Sequence, residues 1–142
     1  MSVLAPWFIA ASAGIVLFLG LVHLRYTFSG SKLHPREPHL IEEMRRVPLV
    51  LTRQTTMWRA WVGFNASHSF GAILYGAVYG YLALIHATFL LQSHFLLGVG
   101  LVLLLGYAVL GKLYWFSAPY RGIVLAAGLY VAGLLAAALG AP

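Results

Sequence analysis

One stretch of this 142-residue chain places groups that could carry chemistry inside a long apolar segment. Between Trp58 and Gly71 an arginine, an amide, hydroxyls and an imidazole stand among apolar residues. At about 100° per residue on a helix, Asn65 and His68 fall on one face, so their side chains would be neighbours. A neutral histidine donates or accepts a proton near neutral pH, and an amide can orient a bound group. The pattern therefore predicts acid–base chemistry, with Asn65 and His68 as the candidate catalytic residues.

The same helical face also predicts a pocket with aromatic walls. Its remaining members are Trp58, Trp61, Ala72, Tyr75 and Tyr79, whereas Arg59 and Ser67 point elsewhere. With His23 from the first apolar segment, the residues Trp58, Trp61 and Tyr75 make up the candidate substrate pocket, suited to an amphipathic ligand with its tail in lipid. The alternative is that Asn65 and His68 only join helices, as polar side chains do in membrane bundles.

The composition indicates an integral membrane protein. Hydrophobic residues make up 61% of the chain and charged residues only 8%, against roughly 25% charged in ordinary globular domains. The net charge of +6 is spread between apolar segments, so nucleic acid is not expected as a partner. Without cysteine there is no disulfide or thiolate chemistry. No metal is predicted, because His86 and His94 lack a nearby carboxylate, and His68 is expected about two turns deeper in the membrane than His23, which disfavours a bis-histidine haem.

Four segments are long enough to cross a hydrocarbon core of ~30 Å. They cover about residues 7–27, 57–84, 95–114 and 120–140, and the first is expected to be retained and not cleaved as a signal peptide. In the polar connection 28–56, a short helix is expected between Pro38 and Pro48, with Glu42 pairing with Arg46. Pro119 suits the first position of the last helix.

Small residues recur at helical spacing in two of these segments, which predicts close helix packing in lipid. They are Ala72, Gly76 and Gly80 in the second segment, and Gly128, Ala132, Ala136 and Gly140 in the fourth.

The distribution of basic residues predicts the orientation. Seven of the nine lysines and arginines lie in or beside the connection 28–56, and the other two, Lys112 and Arg121, flank residues 115–119. The seven are Arg25, Lys32, Arg36, Arg45, Arg46, Arg53 and Arg59. With four spans both connections lie on one side, which the positive-inside rule makes cytoplasmic. Both termini are then expected on the outer side.

Two stretches resemble motifs of the MAPEG family, the membrane-associated proteins in eicosanoid and glutathione metabolism. Arg59-Ala60 followed by Asn65 and His68 is similar to the family's arginine–alanine, asparagine and glutamate on helix two, with His68 in the place of the glutamate. The run Gly111-Lys112-Leu113 followed by Ala118-Pro119-Tyr120-Arg121 resembles the junction of helices three and four in its prostaglandin synthase branch. The resemblance implies glutathione as cofactor, held by Arg59, Arg121 and Lys112, in a homotrimer with sites between subunits on the cytosolic side.

The stretch Thr55 to Ser69 also looks like a group of small bacterial membrane proteins, which implies a bacterial inner membrane and no particular activity. The fold expected is an all-α, four-helix membrane bundle forming one domain and a homo-oligomer. Our first hypothesis is a MAPEG-like protein, a transferase or isomerase, that binds or transforms a lipophilic small molecule at a cytoplasmic-side pocket. The second is a non-catalytic bundle, acting as an assembly subunit or a small-molecule binder.

Overall fold

The computed structural model describes residues 3–140, which contain helices joined by turns and loops and no β-strand beyond one isolated bridge. The helices are α1 (Leu4–Phe28), α2 (Pro38–Arg46), α3 (Met57–Ile85), α4 (Ala87–Gln92), α5 (His94–Tyr114) and α6 (Ser117–Leu139). Four of them, α1, α3, α5 and α6, are long and apolar enough to span a membrane. The predicted all-α class with four helices of spanning length is confirmed, and the helix boundaries differ from the predicted ones by three residues at most.

Local details differ from the prediction where chain ends and turns decide them. The helix α6 begins at Ser117, so Pro119 occupies its third position and not its first. A proline is tolerated there because the N–H groups of the first turn have no partner within the helix. The short helix α4 was not predicted as a separate element, since most of its six residues are apolar and read as an extension of the second span. In α2 the pairing prediction is wrong, because Arg46 binds Glu43 at 2.7 Å and not Glu42. The hydrogen bonds and charge of Glu43 raise the pKa of Arg46.

The described residues divide into two compact units. The core unit contains the residues up to Leu19 and those from Ala72 onward, and the polar unit is Gly20–Gly71. The helices α1 and α3 contribute to both. Each unit is therefore described in turn.

Three tyrosines organise the core unit. The rings of Tyr75 and Tyr79 stack with centroids 4.5 Å apart, and Tyr130 meets Tyr79 edge-on at 6.2 Å. The Tyr79 hydroxyl donates to the carbonyl of Leu96 (2.6 Å) and the Tyr130 hydroxyl to that of Leu97 (3.0 Å), both in the first turn of α5. These bonds satisfy two buried hydroxyls that would otherwise be costly in an apolar core.

Gly100 makes room for this arrangement. A Cβ added at Gly100 would lie 2.7 Å from Cε1 of Tyr79 and 2.8 Å from Cζ of Tyr130, and would collide with the Tyr130 hydroxyl. The absence of a side chain at this position lets both phenol rings reach the backbone of α5.

Gly76 of the second span packs closely as predicted, and Gly128 of the fourth span does not. A Cβ at Gly76 would lie 2.7 Å from the carbonyl oxygen of Ala13 and 2.7 Å from the backbone nitrogen of Leu17, so α1 and α3 approach closely there. In α6, by contrast, Gly128 faces open space. The packing face instead contains Gly133, whose added Cβ would be 2.8 Å from Ile9. The expectation for Gly128 is wrong within the chain, because a run of small residues does not by itself say which of its faces is covered.

Candidate functional site

The centre of the polar unit is a hydrogen bond between α1 and α3. Nε2 of His23 lies 2.9 Å from Oδ1 of Asn65. The other end of the amide is also engaged, because Nδ2 of Asn65 donates to the carbonyl of Trp61 at 2.8 Å. The oxygen facing His23 can only accept, so Nε2 must carry the proton. A neutral His23 is thereby held in one tautomer, with the lone pair on Nδ1.

A second imidazole lies against the first. The ring centroids of His23 and His68 are 5.2 Å apart and the rings meet edge to face. The expectation that His68 lies two turns deeper is wrong. His68 lies six residues further from the start of α3 than His23 lies from the end of α1. Six residues of helix span about 9 Å at 1.5 Å per residue. Contact between the two rings therefore requires α3 to start about 9 Å beyond the end of α1. Counting along each helix from its end does not reveal that offset.

The cluster has few side chains that could bind a metal ion. Among residues 3–140 no three His, Cys, Asp or Glu side chains come close enough to hold a metal ion. Of the other histidines, His86 lies 3.0 Å from the Tyr81 hydroxyl and His94 is exposed at the start of α5.

The connection between α1 and α3 folds back over the start of α3. The Trp61 indole donates to the carbonyl of Leu33 at 3.1 Å. The ring of Trp58 meets His34 edge-on at 4.9 Å, and the guanidinium of Arg45 lies 5.7 Å from the Trp58 ring centroid. Sequence reasoning missed Leu33, His34 and Arg45 as neighbours of the site. The only signal available was the pair of tryptophans at the membrane edge, which need polar partners for their N–H groups.

A small cleft lies between the connection and α3. It is lined by Thr27, Leu33, His34, Trp58, Trp61, Val62 and Asn65. The volume open to the centre of a water molecule is about 10 Å³, so the cleft has room for about one water. Three of the predicted site residues, Trp58, Trp61 and Asn65, thus share a cleft. A larger ligand could enter only if the connection moved away from α3.

The other predicted site residues lie elsewhere. Tyr75 belongs to the core unit, where it is 4% exposed. Its hydroxyl faces that of Ser12, but the two do not form a hydrogen bond of normal geometry.

The three basic residues expected to bind a cofactor are all exposed. Arg59 belongs to the polar unit, near the start of α3. Lys112 and Arg121 belong to the core unit, where the Lys112 ammonium group lies 5.8 Å from the centroid of the Tyr120 ring. Comparison of the chain with family models, curated proteins and solved structures finds no match.

Proposed function

We propose that the chain is a membrane protein that binds or transforms a lipophilic small molecule at the His23–Asn65–His68 cluster. The observation that carries the proposal is the His23 imidazole, held in one tautomer by Asn65 with a second imidazole against it. Ionisable side chains within membrane spans are costly and usually mark functional sites. The basic residues around the connection 28–56 support a cytoplasmic position for this cluster, with both termini outside.

The second imidazole favours ligand chemistry over simple helix joining. The bond between His23 and Asn65 already links α1 to α3. His68 adds another group able to exchange a proton, half-buried and next to the first. In the proposed site His23 presents Nδ1 as a proton acceptor, Asn65 fixes its orientation, and His68 donates or accepts a proton at the head of the ligand. Trp58 and Trp61 would contact the apolar part of the ligand once the connection moves away.

Glutathione has only partial support as a cofactor. The exposed guanidinium groups of Arg59 and Arg121 have the right chemistry for its carboxylates. The cleft beside Asn65 holds one water, however, and does not fit a tripeptide. Glutathione would therefore bind at a surface shared with another copy of the chain, as in the trimer that the MAPEG resemblance implies.

Native mass spectrometry of the protein, purified from membranes in mild detergent, tests the proposal. We expect a stoichiometric lipophilic molecule on the wild type and clearly less on His68→Gln, because a lost ligand hydrogen bond is worth roughly 1.4 kcal/mol, which weakens the affinity about tenfold. The matched control is Ser67→Ala, which loses only a bond to the carbonyl of Phe64. Equal retention by His68→Gln, or a wild type without any bound molecule, would remove the basis of the proposal.

A separate titration addresses the cofactor. Millimolar glutathione should raise the unfolding temperature of the wild type, since a ligand that binds the folded state stabilises it by about 2.7 kcal/mol at a hundredfold excess over Kd. The increase should shrink in Arg59→Gln. No shift at any concentration would exclude glutathione and leave the lipophilic ligand to be judged by mass spectrometry alone.

The second candidate function is a non-catalytic bundle, and the His23–Asn65 bond favours it, because that bond joins two helices. The two functions make opposite predictions for His68→Gln. A ligand site loses its ligand while the free protein unfolds as before, whereas a structural cluster loses stability and has no ligand to lose.

A further inference from the structure

The end of the connection 28–56 forms a closed loop at the base of α3. Pro48 and Thr56 pair as an antiparallel bridge, and the backbone N–H of Met57 donates to the carbonyl of Val47 at 2.9 Å. Since Met57 is the first residue of α3, the base of this loop is fastened to the start of a span. Within it, the N–H of Gln54 donates to the Thr52 hydroxyl at 3.1 Å. We call residues 48–56 the apolar-tipped loop.

Its tip presents two aliphatic side chains that no residue in the described part of the chain covers. Val50 is 109% and Leu51 91% exposed relative to a reference residue in an extended peptide. Leu40 of the preceding helix α2 is also exposed, and α2 has no buried residue. Because the loop is fastened to the start of a span, its exposed aliphatic side chains are within reach of the membrane surface, where apolar side chains can enter the acyl region.

The charge around the tip is of one sign. No acidic residue follows Glu43 in the sequence, whereas Arg45, Arg46, Arg53 and Arg59 surround the loop along the chain. Within residues 3–140, Glu43 pairs with Arg46, and Arg53 makes no ion pair. Arginines flanking an apolar tip complement the phosphates of anionic lipids, and each basic residue near such a surface strengthens binding roughly fivefold.

We propose that the apolar-tipped loop inserts Val50 and Leu51 into the leaflet that borders it, while Arg53 and Arg45 bind the phosphates of anionic lipids. The occupant of this surface is the bilayer itself, and the proposal does not require that the cleft beside Asn65 binds a ligand. Inserted in this way, the loop would hold the connection, with Leu33 and His34, at the membrane surface beside the cleft.

The absence of native cysteine permits a direct test in the full-length protein. Single cysteines at Leu51→Cys and, in a matched variant of the same loop, Gln54→Cys are labelled with nitrobenzoxadiazole. The proteins are then reconstituted into vesicles of phosphatidylethanolamine and phosphatidylglycerol that contain a nitroxide-labelled lipid. We expect at least about threefold stronger quenching at position 51 than at position 54, and Val50→Cys as a second reporter should behave like Leu51→Cys.

Varying the lipid charge tests the role of the arginines, and diluting the protein in lipid tests whether a second copy covers the loop. In vesicles of phosphatidylcholine alone, or with Arg45→Gln and Arg53→Gln combined, the quenching at position 51 should fall towards that at position 54. Quenching that is equal at the two positions in anionic vesicles would overturn insertion, and quenching unaffected by lipid charge would overturn the role of the arginines. If quenching at position 51 is weak and increases only when the protein is diluted in lipid, a second copy of the chain covers this surface. That result would also overturn the proposal.

Discussion

The substitution Asn65→Leu tests the interpretation of the polar cluster most directly. Leucine keeps the number and branching of the side-chain heavy atoms of asparagine, with bulkier methyl groups at the end, and removes both hydrogen bonds of the amide. The bond to the carbonyl of Trp61 lies within α3, where the backbone N–H of residue 65 already serves that carbonyl, so its loss should cost little. The bond to His23 joins two helices, and its loss leaves an imidazole N–H in an apolar setting. Bonds of this kind in membrane bundles contribute about 0.6 kcal/mol on average and about 1.7 at most.

We therefore expect Asn65→Leu to lower the free energy of unfolding by about 1 kcal/mol and to let His23 adopt both neutral tautomers. Unfolding is measured by titration of a mild detergent with sodium dodecyl sulfate, and the tautomer by nitrogen NMR of protein labelled at histidine. The wild type should show His23 protonated at Nε2, and the variant a mixture of both tautomers. The matched control Ser67→Ala should change neither measurement. A wild-type His23 protonated at Nδ1, or a variant with an unchanged spectrum, would refute the assignment of the amide as the group that fixes the ring.

Two further predictions concern the core unit. Gly76→Ala should destabilise the fold by about 1–3 kcal/mol, the usual cost of overpacking, because its Cβ would meet backbone atoms of α1 that cannot rotate away. Gly128→Ala, in open space, should be neutral or stabilise by up to about 1 kcal/mol. Equal effects of the two substitutions in the same detergent titration would contradict this packing. Tyr79→Phe should lower the free energy of unfolding by about 1 kcal/mol through the lost hydrogen bond to the Leu96 carbonyl. Tyr81→Phe, on an exposed side chain, should lower it clearly less. The reverse order would show that the bond to Leu96 contributes little.

The sequence was informative about single helices and much less so about relations between them. Composition and length located all four spans, and helical periodicity placed Asn65 and His68 on one face, where both contact His23. Periodicity gives the direction of a side chain around its own helix. It says nothing about how far one helix is shifted along another, which is why the contact between His23 and His68 was not foreseen.

The polar connection was the least predictable region. Its short helix followed from the prolines at either side, but the path that brings Leu33 and His34 to the tryptophans of α3 is determined by a few long-range contacts. Neither charge nor hydropathy distinguishes His34 from the exposed His39 in the same segment. The selection of Glu43 over Glu42 by Arg46 likewise depends on the orientation of one arginine on a short helix.

The fit of Gly100 between Tyr79 and Tyr130 restricts how this protein can change over generations. A side chain at position 100 collides with both phenol rings at once, so it can be accepted only after both tyrosines have been replaced by smaller residues. Replacing either tyrosine removes a buried hydrogen bond to α5 before a side chain at position 100 can fill the space that is freed. The three positions should therefore covary among descendants of this sequence, with glycine at position 100 as the last of the three to be lost.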